Sequence, residues 1–398
     1  MTVVELGEYS TSEATLPHAD AAAVVAVSAG ALSLADVTPT SARLAARQHV
    51  GVVATDRVEV RILPKVPAAN VLGMLAASTG MVKWLPGSAQ IGLQDDLLRS
   101  AVAFFAREVA DLLAAGPQRH YRVEHDALVA PRGRLNVTAM ARQGGLPAPV
   151  HCRFDEYTED TLLHRYLVAA IHRGLRVPGL DQKAQRLLRH ARAAIPDVRH
   201  VALPPDAIDR HQFTRLDERY RPAVALARIV LERLSLHHTG QRHQARTFTV
   251  DMNRLFESWV AARLPDHLPS DLRLDTQTRR HLDEGKTLSI RPDLEILQRA
   301  RSVYVADTKY KLTDTGLGRI TDYYQAHAYA TVLGLDEAML IYCDDGGDTP
   351  PHLLQVAGSG ISVVTHSMSL NQPNTGLEAE LAALGDHLGR RVAAPALA

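Results

Sequence analysis

The chain is 398 residues long, 46% apolar and 22% charged, with 44 Lys and Arg balancing 44 Asp and Glu. Those proportions exclude a mainly disordered, collagen-like or coiled-coil chain, and the length leaves room for two or three domains. Zero net charge removes a global basic excess as a route to nucleic acid, so contact with DNA would need a local patch or a partner that brings it.

The first apolar stretch, Ala21 to Ala35, could pass for the core of a signal peptide. The segment before it carries Glu5, Glu8, Glu13 and Asp20 but no Lys or Arg, the wrong sign for such a signal. No run reaches the roughly 18 apolar residues of a membrane span. Cys152 and Cys343 are too few for a disulfide framework or a structural zinc site, which suits a reducing compartment. The expectation is a soluble, cytoplasmic protein.

From Ala46 to Val66 the pattern alternates, as in Val58-Glu-Val-Arg-Ile62, and predicts strands ending at Pro64-Lys65. A helix is predicted from Leu93 to Ala115, with Leu97, Leu98, Val102, Phe105 and Val109 on one face and Gly116-Pro117 as its stop. Short strands around a Pro131-Arg-Gly-Arg134 turn should fill Tyr121 to Val137. Helical stripes follow over Thr161 to Leu175, Gln182 to Ile195 and Tyr220 to Leu236. The His-, Gln- and Arg-rich stretch Ser235 to Arg246 is the best linker candidate, and its His237, His238 and His243 are expected to be exposed. Beyond it come a helix at Met252 to Leu264, strands at Leu288 to Leu297 and Ser302 to Leu312, a helix at Leu317 to Leu333 and a strand at Ala338 to Cys343. That order predicts a mixed α/β domain. Cys343 should be core, and the alanine-rich C terminus should fray.

Chemistry concentrates in one place. Asp293 and Asp307 sit inside apolar, strand-like runs, Arg291-Pro-Asp-Leu-Glu-Ile-Leu297 and Val303-Tyr-Val-Ala-Asp-Thr-Lys309, where a charge needs a reason. Other Pro-Asp pairs, at Pro196, Pro205 and Pro265, and other acid-x-Lys triplets, ending at Lys183 and Lys286, occur elsewhere. Asp266 with Glu284 and Lys286 is a rival set, but it lies in turn compositions. A hairpin centred on Ala300 would place 293 opposite 307, 295 opposite 305 and 297 opposite 303. Asp293 and Asp307 would then be cross-strand neighbours with Lys309 on the same face. Opposed like charges destabilise a hairpin, and a bound divalent cation would reverse that. Such a site suits phosphodiester hydrolysis: Mg²⁺ on the two carboxylates, with Lys309 orienting water or neutralising charge on phosphorus. A one-residue register shift would separate the carboxylates onto opposite faces. Lys is otherwise scarce here, with only Lys65, Lys83, Lys183, Lys286, Lys309 and Lys311 present. A plain surface hairpin with solvated charges is the competing reading.

Asp293 with Asp307-x-Lys309 resembles the PD-(D/E)xK nuclease signature. Gln325-Ala-His-Ala-Tyr329 is similar to the Gln-x-x-x-Tyr motif of the RecB-like branch, and i and i+4 share a helix face. Glu257, in Met252-Asn-Arg-Leu-Phe-Glu257, falls where that superfamily often has an acidic residue at its site. Read alone, Tyr329 is a core tyrosine and Glu257 a solvated helix charge.

The chain as a whole resembles the McrC family. The carrying segments are Ile62-Leu-Pro-Lys65 with Met74-Leu75, Arg132-Gly-Arg-Leu135, Phe154-Asp-Glu-Tyr-Thr-Glu-Asp160, Arg215-Leu-Asp-Glu-Arg-Tyr220, Met252 to Glu257, Arg291-Pro-Asp293, and Asp307-Thr-Lys-Tyr-Lys311 followed by Gln325. His164 and Asp217 depart from it, since family members often have Asn there.

The resemblance implies an α/β protein whose N-terminal, mixed strand and helical region docks on a partner and whose C-terminal domain is restriction-endonuclease-like. The implied divisions are 1–155 for docking, 156–245 as a helical connection and 246–398 as nuclease. The partner would be an AAA+ GTPase hexamer of McrB type that binds GTP, recognises 5-methylcytosine-containing double-stranded DNA and is stimulated by this chain. Asp293, Asp307 and Glu257 would hold Mg²⁺, Lys309 would assist the attacking water, and Gln325 and Tyr329 would brace the site. Arg279, Arg280, Lys286 and Lys311 are candidate phosphate contacts. Arg132 and Arg134 would tip a hairpin entering the partner's ring. No Gly-x-x-x-x-Gly-Lys-Ser/Thr loop is present, so nucleotide hydrolysis is not expected of this chain. A non-catalytic AAA+ activator with a vestigial nuclease fold and a self-sufficient repair nuclease are the alternatives.

Overall fold

The computed structural model describes residues 1–79, 97–142, 149–233, 235–239, 243–310, 319–344, 351–372 and 374–393. The chain divides into two compact units, residues 1–101 with 233–398, and residues 102–232. The second unit is therefore an insertion in the first. Neither expected boundary, 155/156 or 245/246, coincides with these divisions: residue 155 lies inside the inserted unit and residue 245 inside a strand of the first.

The first unit opens with β1 (Thr2–Gly7), β2 (Leu16–Pro17), α1 (His18–Val27), β3 (Leu32–Ala35), β4 (Ser41–Ala46), β5 (His49–Ala54), β6 (Val58–Leu63) and α2 (Ala68–Ser78). The apolar stretch after Ala21 is thus a short helix and a strand, with Ala21, Val24 and Leu32 in the core. The chain passes through α3 (Leu97–Ala114), where the boundary at 101/102 falls. Its earlier predicted start, 93–96, lies outside the described residues.

The inserted unit contains β7 (His120–Leu128), β8 (Arg134–Leu135), α4 (Val137–Arg142), β9 (Val150–Thr158), α5 (Leu162–Gly174), α6 (Gln182–Ala193) and α7 (Arg221–Arg233). The three predicted helices are found, α5 and α6 starting at Thr161 and Asp181, whose side chains accept backbone N–H bonds as helix caps. The two departures from the family pattern are built into this unit. His164 is buried between the Glu159 carbonyl (2.6 Å) and the Tyr220 hydroxyl (2.9 Å), and Asp217 accepts from Thr214 N and Oγ1.

The first unit then resumes with β10 (Ser235–Thr239), β11 (His243–Asp251), α8 (Met252–Arg263), β12 (Leu272–Thr276), β13 (Arg280–His281), β14 (Ser289–Ile290), β15 (Leu294–Gln298), β16 (Arg301–Lys309), α9 (Ile320–Leu333), β17 (Glu337–Asp344), β18 (His352–Gln355), β19 (Ser362–Ser369) and α10 (Asn374–Ala393).

One correction follows. The expected linker at 235–246 is instead a pair of strands, and β11 pairs antiparallel with β5 in a five-stranded sheet ordered β1-β6-β5-β11-β10. The side chains of His237, His238 and His243 lie outside the described residues. The expected fraying of the alanine-rich C terminus concerns residues beyond Ala393, which lie outside the described residues; before it, Leu377, Leu381, Leu384 and Leu388 bury one stripe of α10.

The mixed sheet ties the N-terminal and C-terminal parts of the chain into one body. Gly51 makes the join possible, since its φ is +126° and a Cβ there would stand 2.0 Å from the Phe248 carbonyl oxygen. Asn70 of α2 adds two bonds, from Nδ2 to the carbonyls of Leu370 (2.7 Å) and Gln372 (2.8 Å).

A six-stranded sheet, ordered β12-β15-β16-β17-β19-β18, carries the other half of the unit. β15 and β16 are antiparallel, while β16 and β17 are parallel and joined through α9, as a parallel pair requires. Gly334, left-handed at φ +66°, ends α9. The architecture is mixed α/β, as expected. Among the described residues no helix is long and apolar enough to cross a membrane.

Candidate functional site

The β15–β16 hairpin sets the site. Leu294, Glu295 and Ile296 face Ala306, Val305 and Tyr304, the register expected from the sequence. A bulge after Ile296 then shifts the pairing, so Leu297 faces Ser302 rather than Val303. The turn is Arg299-Ala300, both at positive φ (49° and 67°), as a two-residue hairpin turn of the primed kind demands. The bulge lies on the turn side of Ile296, which leaves the register toward Asp293 and Asp307 undisturbed.

Asp293 sits one residue before β15 and reaches across to β16. Its Oδ2 accepts from Thr308 N (2.8 Å) and Thr308 Oγ1 (2.9 Å). Asp307 is 1% exposed. Its Oδ2 lies against the Lys309 ammonium and, among the described residues, takes no other polar partner. Burial, then the charge of Asp293, pushes the Asp307 carboxyl up to about 7, with Lys309 opposing. Lys309 is held protonated: burial lowers its pKa, but Asp307 and Asp293 together outweigh that.

From Lys309 a hydrogen-bonded chain runs along α9. Its Nζ donates to Gln325 Oε1 (3.0 Å), Gln325 Nε2 donates to the Tyr329 hydroxyl (2.6 Å), and that hydroxyl donates to the Arg291 carbonyl (3.1 Å). The i, i+4 spacing of Gln325 and Tyr329 places them one above the other on one helix face. Burial and then the Asp307 charge raise Tyr329 to about 12, so its proton stays on.

Glu257 comes from α8, whose start is fixed by Asp251 accepting from Asn253 N and Arg254 N. It joins the site through Gln277, a residue that sequence reasoning missed. Gln277 Nε2 donates both to Glu257 Oε1 (2.6 Å) and to Asp293 Oδ1 (3.0 Å). Burial and the Asp293 charge raise the pKa of Glu257. Thr308 was likewise missed, although it lies between the two residues of the Asp-x-Lys triplet.

The structure thus brings together Asp293, Asp307, Lys309, Gln325, Tyr329 and Glu257. The basic candidates divide. Arg279 and Lys286 are exposed, but Arg280 forms a buried-side ion pair with Glu295, itself fully buried and also bonded by Ser302. Arg280 is committed to the fold, and Lys311 lies outside the described residues. In the inserted unit, Arg132, in the turn before β8, and Arg134, the first residue of β8, are exposed, with the Arg132 guanidinium 4.9 Å from the Phe154 ring centroid.

No group of three or more His, Cys, Asp or Glu side chains that could hold a metal ion is present among the described residues. Two facing carboxylates are nonetheless what a small hard cation such as Mg²⁺ takes, because it keeps several waters and binds substrate phosphate for the rest. The buried Oδ2 of Asp307, which faces only the Lys309 ammonium among the described residues, and the second lone pairs of Asp293 fit that donor set.

A family model described as "McrBC 5-methylcytosine restriction system component" matches residues 44–343. No curated protein matches the chain. Among solved structures, a chain of a refined half-complex from a tetradecameric assembly of Thermococcus gammatolerans McrB AAA+ hexamers with bound McrC is 19% identical. It is covered over 100% of its length and 97% of this chain, with a TM-score of 0.65. A chain of the T. gammatolerans McrBC complex is 23% identical over 66% of this chain and 87% of its own, with a TM-score of 0.45. The first of these likenesses shows a shared fold.

Proposed function

This chain belongs to the McrBC 5-methylcytosine restriction system family, and from that premise we propose that it is the subunit that cuts DNA, with Mg²⁺ as cofactor. The observation that carries the reading is the pairing of a buried Asp307 with Asp293 across one hairpin, with the Lys309 ammonium locked between Asp307 and Gln325. A fold with no reaction to perform gains nothing from two opposed carboxylates, one of which burial and then the charge of the other hold above the ordinary carboxylate range.

In this reading Asp293 and Asp307 hold the cation, with Glu257 beside them. When bound, Mg²⁺ would polarise the scissile phosphate and lower the pKa of an attacking water. Lys309 would donate from Nζ to that water or to a phosphate oxygen, where charge grows in the transition state. Gln325 holds the ammonium by its amide oxygen, and Tyr329 fixes the amide by bonding its nitrogen, so the lysine has one preferred direction. Arg279 and Lys286 would contact DNA phosphates.

The partner is proposed to be an AAA+ GTPase ring, as in the T. gammatolerans assembly of McrB AAA+ hexamers with bound McrC. This chain would stimulate that ring, which would bind GTP and the methylated double-stranded DNA. The inserted unit is proposed as the docking module. Its three-stranded sheet exposes Tyr121 (76% exposed), Tyr157, Val123 and Leu135, with Val129 just past β7, more apolar surface than a solvated sheet face needs. Arg132 and Arg134 would lead its approach.

The test is cleavage of methylated and unmethylated plasmid with Mg²⁺ and GTP, with and without the AAA+ protein. Cutting that requires partner, GTP and methylation supports the proposal. Cutting by the chain alone would make it a self-sufficient nuclease, and GTPase stimulation without cutting would leave an activator only.

A further inference from the structure

Gln277 bridges Glu257 and Asp293, two of the carboxylates that would hold a cation in the nuclease reading. The residue follows β12, and its backbone is left-handed, at φ 52°, a conformation that a glutamine adopts only when its surroundings impose it. Its own N–H bonds the Asp293 carbonyl (3.3 Å), so the backbone is tied to the residue that its side chain serves. From that anchor one nitrogen, Nε2, spans Glu257 Oε1 at 2.6 Å and Asp293 Oδ1 at 3.0 Å.

An amide N–H₂ satisfies two carboxylate oxygens but leaves their charges uncompensated. A divalent cation would both satisfy and neutralise them, and it needs those same oxygens at about 2.0–2.1 Å. The amide nitrogen and a cation cannot share that position. Gln277 is exposed, so its side chain can leave into solvent without disturbing the core.

We propose that Gln277 is a latch on this site, a positioning residue that holds Glu257 and Asp293 together in the cation-free chain and must release them before a cation can bridge the pair. It raises the cation concentration needed to fill the Glu257 side of the site, and so keeps the chain idle until substrate phosphate supplies further ligands. This inference rests on the nuclease reading above.

The experiment is Mn²⁺ binding to the full-length chain, followed by calorimetry and by electron paramagnetic resonance of free Mn²⁺. Glu257→Gln identifies which part of the uptake depends on Glu257. Gln277→Leu, similar in size but without a donor, should lower the half-saturating Mn²⁺ concentration of that part by about fivefold or more, the worth of a hydrogen bond removed from competition. Gln277→Lys, which places a permanent ammonium between the carboxylates, should abolish it. Unchanged or weaker binding in Gln277→Leu, with Asp307-dependent uptake intact, overturns the latch alone. No Mn²⁺ uptake by the wild-type chain overturns the nuclease reading and the latch with it.

Discussion

Glu8 and Tyr310, 302 residues apart in sequence, are joined by a buried hydrogen bond: the Tyr310 hydroxyl donates to Glu8 Oε1 at 2.9 Å. Tyr310 directly follows Lys309, and the same Glu8 oxygen accepts from Lys65 N at 2.8 Å. The N-terminal strands therefore hold the end of the strand that carries the site. Burial raises the Glu8 pKa, against the bonds from Lys65 and Tyr310 and the Lys65 charge.

A carboxyl whose folded pKa is raised contributes stability below its unfolded value and loses it as pH rises through the folded one. Glu8→Gln keeps an acceptor for Tyr310 and Lys65 and carries no charge. The variant should match wild type in thermal unfolding near pH 4 and melt higher than wild type near pH 8. A variant that matches wild type near pH 4 but melts lower than it near pH 8 would mean that the charge itself is needed.

Asp307 gives a second pH dependence with the same sign. Its carboxyl is pushed up to about 7, so the cation-free chain loses stability as pH rises from about 4 to about 7. A cation needs the ionised form. Below about pH 7 the Mg²⁺ or Mn²⁺ midpoint in a thermal-shift titration should rise about tenfold per pH unit, and above it the midpoint should level off. A flat profile across that range would place the cation elsewhere.

Lys309 is a point donor held by Asp307 on one side and Gln325 on the other. Lys309→Arg keeps the charge but replaces the compact ammonium with a planar fork that does not fit between them. Cleavage should fall by about 10²-fold or more while Mn²⁺ binding is retained. Equal losses of both would show that the lysine shapes the cation site instead of serving the reaction.

Much of this site was legible because it obeys local periodicities. Strand alternation about a hairpin centred on Ala300 put 294, 295 and 296 opposite 306, 305 and 304 and so brought Asp293 toward Asp307, and helical spacing put Gln325 over Tyr329. The bulge after Ile296 was not, since it is a backbone accommodation that leaves no mark in residue types. Gln277 was hidden for a similar reason: its role depends on a left-handed backbone and on Glu257, twenty residues earlier. The polar stretch at 235–246 read as a linker because its composition carries no strand alternation: β10 pairs with β11, and it is β11, from Arg246 on, that pairs through the backbone with β5, almost two hundred residues away. The same non-local pairing makes residues 102–232 an insertion, and composition gives no hint of it.

The central claim is that Asp307 serves DNA cleavage, and Asp307→Ala tests it most directly. The variant should be reconstituted with the proposed AAA+ partner and assayed together for cleavage of methylated plasmid and for GTP turnover. The account predicts that cleavage falls by about 10³-fold or more while stimulation of GTP hydrolysis persists, because docking is assigned to the inserted unit and cutting to the hairpin. Cleavage at the wild-type rate by the folded variant would contradict it.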